Sequence, residues 1–147
     1  MDEPVRLSSP SAFAFVEQVP LEPHHYNNAH LFAGAASELF INARSAYLKA
    51  LGWPGLGPEF WLIIRHLSID YVTESFAGEE LWCGVRATSR SRRTVRLESC
   101  IWERETRRVV LECKIADVAF DVGTRRSVDV PDGLWEAVAR FEGRDLS

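Results

Sequence analysis

The stretch Ala29–Leu51, AHLFAGAASELFINARSAYLKAL, decides how the rest of the chain is read. Phe32, Ala35, Ala36, Leu39, Ala43, Ala46, Tyr47, Ala50 and Leu51 recur at spacings of three and four, the period of an α-helix with an apolar side. Asn27 or Asn28 offers a cap at its start, and Gly52 followed by Pro54 stops it. The apolar residues cover most of the circumference. A helix of that kind is expected inside a fold, surrounded by other elements, rather than laid on a surface.

Outward from the helix the period changes to two. After the Gly/Pro loop 52–58 come four runs that read as strands, over 60–71, 80–88, 94–104 and 108–121. Their expected inward faces carry Trp61, Ile63, Leu67, Ile69 and Tyr71, interrupted by Arg65. Leu81, Cys83, Val85 and Ala87 follow in the second, then Val95, Leu97, Ser99 and Ile101, then Val109, Leu111, Cys113 and Ile115. The links SRSRR (89–93) and RETR (104–107) are too short to join parallel strands, so the last three runs form an antiparallel meander. Before the helix, 12–19 (AFAFVEQV) reads as a further strand and 20–28 as a Pro-containing polar loop; 131–141 closes the chain as a short amphipathic helix. The prediction is an α+β fold in which a five-stranded antiparallel sheet curls round one long central helix. Residues 1–11 are expected to be a flexible arm and 12–142 a single domain.

Composition narrows the function. A formal charge of −4 over 147 residues speaks against a nucleic-acid partner. No run approaches the ~20 apolar residues of a membrane span, and MDEPVRLSSP lacks the apolar core of a signal peptide. Cys83, Cys100 and Cys113 are odd in number, widely spaced and set in apolar runs, which predicts reduced core thiols in a cytoplasmic protein. No His or Cys pair shows metal-ligand spacing, so no metal is expected.

From residue 60 onward the chain resembles the 4-hydroxybenzoyl-CoA thioesterase family and related short acyl-CoA thioesterases of the hotdog fold. The carriers of the resemblance are the run HLSIDYVTESFAGEELWCGVRATSRSRRTVRLESCIWE, with its IDY strand and the turn Gly78-Glu79-Glu80-Leu81, and the later AFDVGTRRSVDVPDGLWEAV. The resemblance spans about residues 12–140. It implies hydrolysis of a small acyl-CoA or acyl-carrier-protein thioester by a homodimer or dimer of dimers, without a cofactor. His25-Tyr26-Asn27-Asn28 resembles the end of the family's D-x-x-G-H-V-N-N run. The Asp of that run has no counterpart: Leu21 or His24 falls at its position, depending on whether the loop or the helix end is matched.

Thioester hydrolysis needs a group that polarises the carbonyl and one that activates water or attacks. The resemblance places the first at the N-terminus of the long helix, where Asn27, Asn28 and His30 are expected to meet the substrate. For the second, Glu38 is the first candidate. It sits among apolar neighbours in GAASELF, where desolvation is expected to raise its pKa, and forms a polar stripe with Asn42, a further expected substrate contact, and Ser45. The structural alternatives are a stripe facing solvent or a dimer mate, or a Glu paired with Arg44 or Arg65. His24 and His25 come next, then Glu22 and His30, whereas His66 reads as structural. Arg90, Arg92 and Arg93 read either as a solvated turn or as a clamp for CoA phosphates, and Arg125-Arg126 as a weaker patch. Trp61, with Trp53 and Phe60, is a candidate wall for the acyl group. An acyl-thioester hydratase or dehydratase, or a non-catalytic acyl-thioester binder, are the competing readings.

Overall fold

The computed structural model describes residues 12–31, 33–56 and 59–146; the expected arm 1–11 lies outside them. Strand β1 (Phe15–Gln18) leads through a 3-10 turn (Pro23–His25) into a small hairpin, β2 (Tyr26–Asn27) and β3 (His30–Leu31). Helix α1 (Ala35–Leu51) follows, then β4 (Trp61–Tyr71), β5 (Leu81–Arg90), β6 (Thr94–Glu103), β7 (Val109–Asp121), the short β8 (Arg126–Ser127) and helix α2 (Asp132–Glu142). The main sheet has the order β1-β5-β6-β7-β4, with antiparallel pairing at every interface, and β8 adds to β7 as a sixth strand. The sheet curls round α1, as expected.

Helix α1 begins six residues later than its periodicity predicts. Asn28 and Ala29 sit at positive φ, 51° and 63°, and turn the chain between β2 and β3 instead of capping the helix. Gly34 is the N-cap, and among the described residues no side chain caps the first turn. At the other end Gly52, at φ 107°, takes the left-handed position that glycine adopts most readily, and its N–H closes on the carbonyls of Leu48 and Lys49.

The apolar face of α1 (Ala36, Leu39, Phe40, Ala43, Tyr47, Leu48, Leu51) joins Val85, Leu97, Ile101, Leu111 and Ile115 of the sheet in one core. Its other side, with Glu38, Ile41, Asn42, Ser45 and Lys49, is exposed, so the wrapping is one-sided. Arg44 crosses from the buried edge of α1 to Asp117 on β7. Nε bonds both carboxylate oxygens at 2.9 Å, and Nη2 bonds Oδ1 at 2.7 Å and the Leu62 carbonyl at 2.9 Å. Tyr47 donates its hydroxyl to Glu142 at the end of α2, and the Ala87 N–H reaches the same carboxylate, pinning the second helix to α1 and β5.

Strand β4 departs from simple alternation. Ile64 pairs with Asp117 and His66 with Ala116, leaving Arg65 as the extra residue of a bulge. The bulge shifts the phase by one: Leu62 and Ile64 point inward before it, Leu67 and Ile69 after it. Trp61 and Ile63, expected inside, therefore face out, with 49% and 46% of their surface accessible.

Candidate active site

The chain leaves β1 through a hydrogen bond from Val19 N–H to the Leu81 carbonyl and runs by Pro20 into the 3-10 turn. Glu22 caps that turn, and the cap is reciprocal: the Glu22 side chain accepts from the His25 N–H, and the Glu22 N–H donates to His25 Nδ1 at 2.9 Å. This tie holds His25 in place at 3% exposure. His24, one residue earlier, projects outward and stands against it, with ring centroids 4.0 Å apart.

Both rings meet Glu38 on the first turn of α1. His24 Nε2 lies 3.3 and 3.2 Å from the two carboxylate oxygens, and His25 Nε2 lies 3.4 Å from Oε1. His24 Nδ1 in turn faces Glu22 Oε2 at 3.4 Å. Three of the candidates named by the sequence, Glu38, His24 and His25, thus converge, with Glu22 behind them.

The electrostatics differ from expectation. Glu38 is half-exposed and its pKa is lowered, chiefly by its hydrogen bond with His24; desolvation, the next effect, works the other way, and His25 adds a smaller lowering. Lowering places the carboxylate in its ionised form at neutral pH. Of the structural alternatives, pairing with Arg44 is excluded, because Arg44 is committed to Asp117 and Leu62, whereas the stripe of Glu38, Asn42 and Ser45 does face solvent.

The remaining candidates lie elsewhere. Asn27 and Asn28 are exposed in the β2–β3 hairpin, and His30 packs on the Phe76 ring at 4.8 Å, 3.9 Å from Glu74. The hairpin is tied to the β4–β5 loop by Leu31 N–H to Ser75 and Ala77 N–H to Ala29. These residues border the helix start without forming it. The helix start, where the Ala36 N–H closes on the Ala33 carbonyl at 3.3 Å, lies beside a cavity of about 250 Å³ lined by His30, Leu31, Ala33, Ala36, Tyr71 and Leu111, among others. Tyr71, which the sequence reading assigned to the core, donates its hydroxyl to the Ala33 carbonyl at 2.9 Å and holds the entry to the helix. Its place in the IDY run was the only signal. Asn42 continues the exposed stripe one turn beyond Glu38, and His66 is exposed on β4.

The arginine turn stands at the opposite end. Arg90 pairs with Asp132 at 3.7 Å and lies over the Trp135 ring; Arg92 and Arg93 both meet Asp129, at 3.2 and 3.3 Å. Arg90 and Arg92 border a groove with Leu56, just past the C-terminus of α1, whereas Glu38 lies on its first turn. At ~1.5 Å per residue, the stretch of α1 from Glu38 to its last residue, Leu51, puts about 20 Å between the two regions. Trp61 is edge-on to Trp53 at 6.3 Å, on the outer face of β4.

The ring nitrogens of His24 and His25 and a Glu38 oxygen lie within 4.8 Å of one another, a grouping of metal-ligating types invisible to sequence spacing because Glu38 comes from a different element. The bond from Glu22 N–H argues against a metal there. It occupies the Nδ1 lone pair of His25, so the ring proton must sit on Nε2 and block that ligand atom.

A curled antiparallel sheet round a central helix, with this approach to the helix N-terminus, defines the hotdog class. The thioesterase superfamily model matches residues 28–110, more than half of the chain, and the chain belongs to that family. A thioesterase from Thermus thermophilus, solved with coenzyme A and zinc, superposes with a TM-score of 0.77 at 18% identity, covering 92% of this chain and 98% of that one. A 1,4-dihydroxy-2-naphthoyl-CoA thioesterase from Synechocystis gives 0.74 at 15% identity, over 85% and 95%. A Staphylococcus aureus protein in complex with CoA gives 0.78 at 13%, over 90% and 86%. No curated protein matches.

Proposed function

We propose that the chain hydrolyses a small acyl-CoA or acyl-carrier-protein thioester, with Glu38 activating the water. The observation that carries this reading is the convergence of His24, His25 and Glu38 one turn inside a helix whose N-terminus has no side-chain cap. The first-turn N–H groups and the positive end of the helix dipole are the groups to polarise the thioester carbonyl. Glu38, ionised at neutral pH, accepts a proton from water as its oxygen attacks the carbonyl carbon. The C–S bond then breaks and the thiolate leaves to be protonated as free thiol.

The reading includes a homodimer. β4 ends the sheet, with β7 on one side, and bears exposed Trp61, Ile63 and Tyr71. An open apolar edge of this length is a template for pairing. Trp61 stands near the C-terminal end of α1 through Trp53, and Tyr71 touches its N-terminal end. Two-fold antiparallel pairing of β4 with its copy therefore sets one protomer's helix N-terminus near the other's arginine turn. In that arrangement Arg90, Arg92 and Arg93 reach the CoA phosphates of a thioester cleaved at the neighbouring Glu38. Trp61 then becomes a wall of the shared cleft. The protein acts in a reducing compartment, the cytoplasm, consistent with three buried, unbridged cysteines; among the described residues no helix is long and apolar enough to cross a membrane.

The test is thiol release from a panel of acyl-CoA and acyl-carrier-protein substrates by wild type and Glu38→Gln. Turnover by wild type and a loss of about 10²–10⁴-fold in the variant are expected. Wild type without thiol release on any member would leave an acyl-thioester binder.

A further inference from the structure

The cluster contains two histidines, and their surroundings give them different chemistry. We infer that His25 is a positioning residue, locked by the Glu22 backbone N–H as the Nε2–H tautomer and aimed at Glu38 as a fixed donor, and so neither the base nor a metal ligand. This rests on the reading of Glu38 as the carboxylate that activates water.

The lock is local. A backbone N–H can only donate, so the 2.9 Å contact from Glu22 N–H requires a lone pair on His25 Nδ1. With that lone pair in use, the imidazole carries its hydrogen on Nε2. Turning the ring over would leave the Glu22 N–H facing a ring carbon, and burial leaves little room for water to replace the bond. The turn that makes the lock is itself anchored: Pro23 fixes its first residue, and the Glu22 side chain takes the His25 N–H.

The other end of the ring is aimed and unused. His25 Nε2 is buried and has no hydrogen-bond acceptor in place, yet Glu38 Oε1 lies 3.4 Å away. A small rotation of the half-exposed Glu38 completes the bond. Catalytic hydrogen bonds commonly stand long or misaligned before substrate arrives and tighten on binding. A carboxylate offers about four lone-pair sites. Donors from His25 on one oxygen and His24 on the other leave the rest for water, and together they fix the plane of the carboxylate. His24 differs: its Nε2 and Nδ1 face Glu38 and Glu22, it stands in solvent, and among the described residues no backbone group ties its ring to one tautomer.

The substitutions separate the roles because Gln and Asn each copy one end of the ring. In the full chain, His25→Gln keeps an N–H near the Nε2 position, and His25→Asn keeps only an acceptor near Nδ1. With the acyl-CoA that wild type turns over best, His25→Gln is expected within a few-fold of wild type. His25→Asn and His25→Ala are expected to fall about 10- to 100-fold, the size of one hydrogen bond to a charged group. Equal losses in Gln, Asn and Ala would make His25 the base and overturn the inference.

Nitrogen-15 spectra of histidine-labelled wild type read the tautomer without any substrate, so they do not depend on the catalytic reading. The expected pattern is a pyridine-like Nδ1 and a protonated Nε2 for His25, unmoved by stoichiometric Zn²⁺. A protonated Nδ1, or a His25 signal shifted by the ion, would refute the lock. If wild type released no thiol from any substrate, Glu38 and the catalytic part of the inference would fall together, and the spectra alone would decide the tautomer.

Discussion

Asp117→Ala removes one partner from the Arg44–Asp117 pair and leaves the other charge in the core. Asp117 is fully buried at 0% exposure and Arg44 is nearly so. The guanidinium spends two nitrogens on Asp117 and one of them also on the Leu62 carbonyl, so the carboxylate is its only counter-charge in this contact. Two unit charges ~4 Å apart at an effective dielectric constant of 20 attract by about 4 kcal/mol. Breaking a buried pair by removing one member costs about 3–5 kcal/mol, because the stranded ion cannot return to water without local unfolding. A domain holds only about 5–15 kcal/mol in total. For a chain of this size ~1 kcal/mol lowers Tm by about 2–4 °C, so Asp117→Ala should melt about 6–20 °C below wild type. Circular dichroism melts and urea titration at pH 7 measure it. The double variant Arg44→Met, Asp117→Leu should recover most of the loss, since apolar pairs of similar volume replace buried ion pairs at little cost. A single variant melting within about 2 °C of wild type would refute the claim that this pair ties α1 to β7.

Three further outcomes follow from particular contacts. Glu103 accepts hydrogen bonds from the Thr106 hydroxyl and from the Thr106 and Glu105 N–H groups, which hold its pKa down at about 2. A lowered carboxylate stabilises the fold above its unfolded pKa near 4.5, and that contribution is lost as pH falls toward 2. Glu103→Gln should thus melt below wild type at pH 7, with the gap closing between pH 4.5 and 2; a gap independent of pH would refute the assignment. Replacing Arg90, Arg92 and Arg93 together by Ala should weaken CoA binding and flatten its dependence on salt, measured by calorimetry at two ionic strengths; unchanged binding would leave the turn as solvated surface. Light scattering at micromolar concentration should give a dimer or a dimer of dimers. Ile63→Glu, on the exposed face of β4, should shift it toward monomer. A wild-type mass near the monomer's 16.6 kDa would overturn the shared cleft.

Residue spacing alone determined the long helix, the four strands from β4 to β7, their antiparallel links and the closing helix. Each of these segments repeats its own hydrophobic period over ten or more residues, and a periodic segment carries its structure locally. The helix start was misplaced because Phe32 and the alanines after it keep the helical spacing, whereas the chain at Asn28 and Ala29 turns into a hairpin held by backbone bonds to Ser75 and Ala77. Those partners lie more than forty residues away, beyond any local pattern. The inward face of β4 was reversed at Trp61 and Ile63 because a single bulge residue, Arg65, resets the alternation, and only the register against β7 reveals it. Among the site candidates, Glu38, His24 and His25 could be named from their type and position. Their convergence, the lowered pKa of Glu38 and the assignment of the His25 proton depend on bringing a turn beside β1 against the first turn of α1. Charge and proton position are set by what stands within a few ångströms in space, and a one-dimensional pattern holds no record of that distance.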